Sequence, residues 1–216
     1  MSADGTPSMV ADHFADAAQQ ETAATLGMWV FLGTEVLFFG VLFVGYTLSR
    51  VQHPEAFVLA GQRTDVLLGS VNTAVLLTSG LTMVLAVRAG AAGWRRACAT
   101  WLVLTAILGI AFLGIKGYEW RQDYLEGLVP GPRFDYSGAD AAGVALFFFL
   151  YFVMTGLHAL HLLIGILVVA AVAVLAARGR YSGAYHTPVV LTGLYWHFID
   201  VVWIFLYPLF YLVARS

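Results

Sequence analysis

Apolar residues in this chain come in long blocks, not in the two-residue alternation of half-buried strands. Five blocks stand out. The first covers 26–48 and is broken only by Glu35. The second covers 66–87, starting after Asp65 and stopping at Arg88. The third covers 97–115 between Arg96 and Lys116. The fourth covers 141–177 and holds no Asp, Glu, Lys or Arg. The fifth covers 189–213, opened by Pro188 and interrupted by Asp200. A helix crosses the hydrocarbon core of a bilayer with roughly 20 apolar residues. A lipid-exposed backbone has to satisfy its own hydrogen bonds, which helices do. The pattern therefore predicts an all-α integral membrane bundle of five transmembrane helices over 26–213, preceded by a polar tail over 1–25. The fourth block is too short for two crossings and a turn, so it reads as one long helix that tilts or projects beyond the lipid.

Composition narrows the function classes. Of 216 residues, 60% are hydrophobic and 11% are charged, against about 25% charged in soluble domains. These values exclude a soluble enzyme and a disordered chain. A formal net charge of -2 with 11 scattered Lys and Arg residues excludes a basic nucleic-acid-binding face. The single Cys98 excludes a disulfide framework, a thiolate zinc site and covalent CxxCH haem attachment. Asp4, Asp12, Asp16 and Glu21 make the first 25 residues acidic, with no Lys or Arg, which does not fit a secretory signal.

Five crossings put the chain ends on opposite sides. The N-terminal side then carries Arg88, Arg95, Arg96, Arg178 and Arg180. The other side carries Arg50, Arg63, Lys116, Arg121, Arg133 and Arg215. The first set is concentrated in two short loops without acids. Basic density in short loops marks the cytoplasmic side, so the N-terminus is expected inside.

Each ionisable group within a span needs a reason, since its insertion costs about 2.5–3.5 kcal/mol. Glu35 lies mid-span, as a carboxyl bonded to a neighbouring helix or as a proton or headgroup site. His158 and His161 share one face of the fourth helix, and His197 and Asp200 one face of the fifth. These imidazoles suit interhelical hydrogen bonds; a haem b site with His158, His161 and His197 as ligands is the competing reading. Asn72 and Ser79 share a face of the second span and suit packing, with a substrate path as the alternative. Lys116 and Glu119 end the third span and suit an interfacial pair, beside the aromatic belt residues Tyr118 and Trp120. Arg178 and Arg180 suit a topology signal or lipid headgroups.

Five segments together resemble subunit III of the haem-copper terminal oxidases. They are Gly-Met-Trp-Val-Phe at 27–31 with Glu-Val-Leu-Phe-Phe at 35–39, Asn-Thr-Ala-Val-Leu-Leu-Thr-Ser-Gly at 72–80, and Gly-Tyr-Glu-Trp at 117–120. Thr-Gly-Leu-His-Ala-Leu-His-Leu-Leu-Ile-Gly at 155–165 and Tyr-Trp-His-Phe-Ile-Asp-Val-Val-Trp at 195–203 complete the set. The resemblance runs from about 26 to 211, one segment per span. It implies a non-catalytic subunit with no active site, haem or copper of its own; those groups belong to subunit I and its partners. It further implies contact with subunit I and, within the complex, subunit II. Bound phospholipid, support of proton uptake, and protection of the oxidase against loss of activity during turnover are also implied. By the resemblance, Glu35 and His161 belong to the lipid cleft; Arg178 and Arg180, by their position after the fourth helix, are the candidate headgroup cations. Glu35, His158, His161, His197 and Asp200 would form a buried polar network. Asn72, Ser79, Trp196, Trp203 and Glu119 would pack helix interfaces.

Many relatives of this type have seven helices, so the first two are expected to be missing here, leaving the cleft open or completed by another subunit. Glu35 and the Gly-Tyr-Glu segment favour a cytochrome c oxidase of aa3 type in a bacterial inner membrane. A quinol oxidase subunit III is the alternative, with an accessory subunit of nitric oxide reductases behind it.

Overall fold

The computed structural model describes residues 16–132, 134–138, 140–181 and 185–212. Asp4, Asp12, Arg133, Arg215 and the end of the fifth predicted span lie outside the described residues. The helices are α1 (Ala17–Gln52), α2 (Pro54–Gly61), α3 (Val66–Ala91), α4 (Arg95–Leu125), α5 (Ala141–Ala177) and α6 (Thr187–Tyr207), followed by a π-helical turn, Pro208–Leu212. Five of these stretches are long and apolar enough to cross a membrane.

Helix starts follow local chemistry. The side chains of Asp16, Asp65 and Asp140 accept hydrogen bonds from the backbone N–H groups of Gln19, Leu68 and Gly143, at 2.7, 3.0 and 3.0 Å. Each satisfies one donor of an open first turn. Pro54 opens α2 and Pro188 lies in the first turn of α6, where a missing N–H costs nothing. At about 1.5 Å per residue, the 37-residue α5 is about 55 Å long and exceeds a bilayer core.

Three sequence boundaries move. The tail does not extend to 25, because the Asp16 cap starts α1 nine residues earlier than the apolar block suggests. Helix α2 was not predicted; its Ala56, Phe57 and Ala60 are buried, with Phe57 edge-on to Phe147 of α5 at 5.4 Å. Lys116 does not end the third span, since α4 runs on to Leu125.

Helix α5 touches α1, α2, α4 and α6, helix α6 touches α1, α3 and α5, and α4 closes the bundle against α3 and α5. Gly109 of α4 lets Trp196 of α6 and Ile166 of α5 close in: a Cβ there would meet Trp196 Cη2 at 2.8 Å. Helix α1 holds on by a narrow stripe, burying Leu32, Phe39 and Tyr46 at seven-residue spacing. Most of its remaining surface is exposed, including Leu37, Val41 and Val44.

Candidate functional site

The predicted polar residues fall into separate sites. On the flank where α1 meets α5, His161 Nε2 lies 3.0 Å from Glu35 Oε2. Both residues sit about halfway along their helices. Their side chains are 15% and 19% exposed, respectively, so the pair is sheltered but reachable. Phe39 covers the imidazole edge-on at 5.2 Å. His161 Nδ1 lies 2.8 Å from the carbonyl oxygen of Leu157. A carbonyl only accepts, so Nδ1 carries a hydrogen. Nε2 then accepts from a protonated Glu35, or donates to its carboxylate as an imidazolium. In either arrangement one hydrogen lies between Nε2 and Oε2. A proton can cross the 3.0 Å gap without creating net charge in a medium where charge is costly.

His158 does not join this pair. It is 1% exposed, with Phe112 and Trp203 at ring distances of 5.6 and 5.2 Å. Neither ring nitrogen has a hydrogen-bond partner among the described residues. His197 and Asp200 form a third site, with Nδ1 and Oδ2 3.5 Å apart. Asp200 Oδ2 rests against Gly80 of α3, where any Cβ would overlap it. Among the described residues, Glu35 pairs with His161 and His197 with Asp200, while His158 joins neither, so the five do not form one continuous network. The same separation opposes the haem reading. His161 is committed to Glu35, and the His158 ring is covered by aromatic neighbours where a macrocycle would have to lie.

The residues predicted at helix interfaces lie between helices. Asn72 Nδ2 donates to the Phe112 carbonyl oxygen at 3.3 Å, joining α3 to α4. Trp196 Nε1 donates to Ser79 Oγ at 3.0 Å, and Trp203 Nε1 donates to Thr73 Oγ1 at 2.9 Å, both joining α6 to α3. Arg178 and Arg180 are exposed at the end of α5.

Glu119 has a larger setting than an interfacial pair. Lys116 Nζ donates to Glu119 Oε2 at 3.1 Å, to Tyr151 Oη at 2.8 Å and to Tyr211 Oη at 2.6 Å. Both tyrosine hydroxyls donate on to Glu119 Oε1, at 2.9 and 2.6 Å. The ring of donors and acceptors is closed, and Lys116 is 1% exposed. Tyr151 comes from α5, and Tyr211 from the π-helical turn. Pro208 has no N–H to continue the helical ladder, and the turn's carbonyl oxygens at Leu209 and Phe210 accept from Tyr46 and Thr64. Asp123, one turn beyond Glu119, is also buried, and its Oδ2 has no partner among the described residues. The sequence signal was present: Lys116, Glu119 and Asp123 at i, i+3 and i+7 share one helical face. Tyr151 and Tyr211 carried no such signal.

Comparison with known proteins places the chain. The model of the family described as Cytochrome c oxidase subunit III matches residues 9–215. The chain belongs to this family. Cytochrome c oxidase subunit 3 of Thermostichus vulcanus is 34% identical over 195 residues, covering 88% of this chain and 87% of that protein. Quinol oxidase subunit 3 of Bacillus spizizenii is 29% identical over 189 residues, covering 88% and 86%. A Heme-copper oxidase subunit I+III of Aeropyrum pernix is 31% identical over 192 residues, covering 86% of this chain and 22% of that longer protein. As subunit III of a haem-copper oxidase, the chain is a membrane protein of a respiratory complex, with subunit I among its partners.

Proposed function

We propose that this subunit III serves a cytochrome c-oxidising terminal oxidase of aa3 type in a bacterial inner membrane, with its N-terminus in the cytoplasm. It has no haem, copper or active site; these reside with subunit I and subunit II. Its contribution is to support proton uptake, hold phospholipid and keep the catalytic subunit active through turnover. The observation that carries the reading is the Glu35–His161 pair, a hydrogen-bonded acid–base couple on a reachable flank of the bundle. The partial exposure of the pair leaves its polar atoms within reach of a lipid or water on that flank. Arg178 and Arg180 supply exposed cations for headgroups at the end of α5. His158, His197 and Asp200 lie off the pair, so the proposal rests on Glu35 and His161.

The test is Glu35→Ala in the intact oxidase. The expected result is slower proton uptake and a shorter active lifetime, with haem content unchanged. Unchanged uptake, turnover and lifetime would reduce the pair to packing. The 34% identity to a protein named cytochrome c oxidase subunit 3 supports cytochrome c as donor. The second reading, a quinol oxidase subunit, draws on the 29% identity to a protein of that name. Oxidation of reduced cytochrome c against quinol by the purified complex decides between them.

A further inference from the structure

The end of the bundle where α4 starts and α5 finishes holds a feature that the Glu35–His161 reading does not use. A groove of about 990 Å³ opens there, lined by Trp94, Arg95, Arg96, Ala97, Thr100 and Ala177 among others. Trp94 is 68% exposed, as an aromatic at the membrane–water boundary would be. Arg95 lies flat against the chain leaving α5: a Cβ at Gly179 would fall 2.6 Å from its Cζ. Arg96 is exposed beside it. Trp94 supplies no side-chain hydrogen bond to the first turn of α4.

Below this polar mouth, the outward faces of the two helices are aliphatic. On α4, Arg96, Thr100, Val103, Ile107 and Ile110 recur at helical spacing, and all are exposed. On α5, Leu167, Ala170, Val174 and Ala177 do the same. No Asp or Glu occurs between 66 and 118 or between 141 and 199, so no acid in α3, the bulk of α4 or α5 offsets the two guanidiniums. Two cations at one end and a long apolar track below match one molecular anatomy: an anionic head with hydrocarbon tails.

We propose that this groove binds an anionic phospholipid. Arg95 and Arg96 hold its phosphate, Trp94 sits beside the head, and an acyl chain lies along the exposed aliphatic face of α4. Planar guanidiniums bind phosphate through paired N–H donors, whereas a zwitterionic lipid keeps a compensating ammonium close to its phosphate. The site is independent of Glu35 and His161, and it rests on arginines other than Arg178 and Arg180.

The test uses the whole oxidase, delipidated and returned to phosphatidylcholine vesicles with and without phosphatidylglycerol, with bound lipid read by native mass spectrometry. The wild type is expected to retain one more phosphatidylglycerol than R95Q/R96Q. The variant's occupancy should fall at least roughly tenfold, since losing even one charge-assisted hydrogen bond is worth about that. Because Arg95 also ties α4 to α5, R96Q alone and Thr100→Trp serve as second variants. The first removes an exposed charge; the second fills the groove without touching charge. Both are expected to lower phosphatidylglycerol retention while the haem spectrum stays unchanged. Equal retention in the wild type, R96Q and Thr100→Trp would overturn the proposal. So would a disulfide or photo-cross-link from Thr100→Cys to subunit I, which would assign the groove to a protein neighbour.

Discussion

Two acid–base pairs in this subunit differ in what surrounds them. Glu35 and His161 meet on a flank, with partial exposure and one hydrogen bond between them. Lys116 and Glu119 meet in the interior, with every ammonium donor used and two tyrosines completing the ring. The contrast separates a pair that can exchange a proton with its surroundings from one that holds helices together. Openness to an outside partner, rather than charge alone, sets the Glu35 pair apart.

Lys116→Met should have the largest effect. It leaves Glu119 as an unpaired buried carboxylate, a loss of about 3–5 kcal/mol. Thermal unfolding of the detergent-solubilised complex, or accumulation of the subunit in membranes, would register it. Adding Glu119→Gln should recover a large part, because the stranded charge goes with it. If Lys116→Met were tolerated, the interior ring would not be the structural anchor.

Gly109→Val comes next. Its Cβ would fall on Trp196 and Ile166 at 2.8 and 3.0 Å, and overpacking of this kind costs about 1–3 kcal/mol. The loss should show in thermal unfolding without a selective change in proton uptake, which ties it to packing.

Glu35→Gln sharpens the comparison from the other side. Gln keeps a hydrogen bond to His161 but cannot ionise. Stability should change by less than about 1 kcal/mol, as for a partly exposed pair, while proton-uptake kinetics slow. Large destabilisation without a kinetic change would make the flank pair structural, like the interior one.

The smallest effect belongs to the loop-side pair of His53 and Asp140, whose Nδ1 and Oδ2 are 2.8 Å apart. The hydrogen bond from His53, then that from the Gly143 N–H, holds the Asp140 carboxyl below its ordinary value of 3.8. A depressed carboxyl stabilises the fold above its ordinary range, and the benefit is lost as pH falls through the lowered value. Asp140→Asn keeps a helix-capping side chain and removes the charge. Its thermal midpoint should sit slightly below wild type at neutral pH and converge with it in acid. A gap that widened on acidification would contradict the assignment.

Much of the architecture was legible because a membrane-crossing helix is specified locally, by length and apolar content. The blocks at 66–87 and 141–177 start where α3 and α5 start, since Asp65 and Asp140 cap them. The reading of 97–115 stopped short because a charge was taken as a membrane boundary. Lys116 is instead neutralised inside the bundle by groups 3, 35 and 95 residues away in sequence. Helix α2 was missed because its eight residues are too few to cross a membrane, and only its packing against α5 reveals it.

The sequence by itself determined a five-span helical membrane protein, and its segment order pointed to the oxidase subunit III family. Both follow from patterns within single helices. Tertiary structure decided which polar residues meet. Helical spacing places His158 and His161 on one face, but only the approach of α1 gives His161 the carboxyl of Glu35 and leaves His158 among aromatic rings. Only the turn imposed at Pro208 brings Tyr211 to Lys116. Partners on different helices are fixed by packing depth and rotation, which no single helix's periodicity encodes.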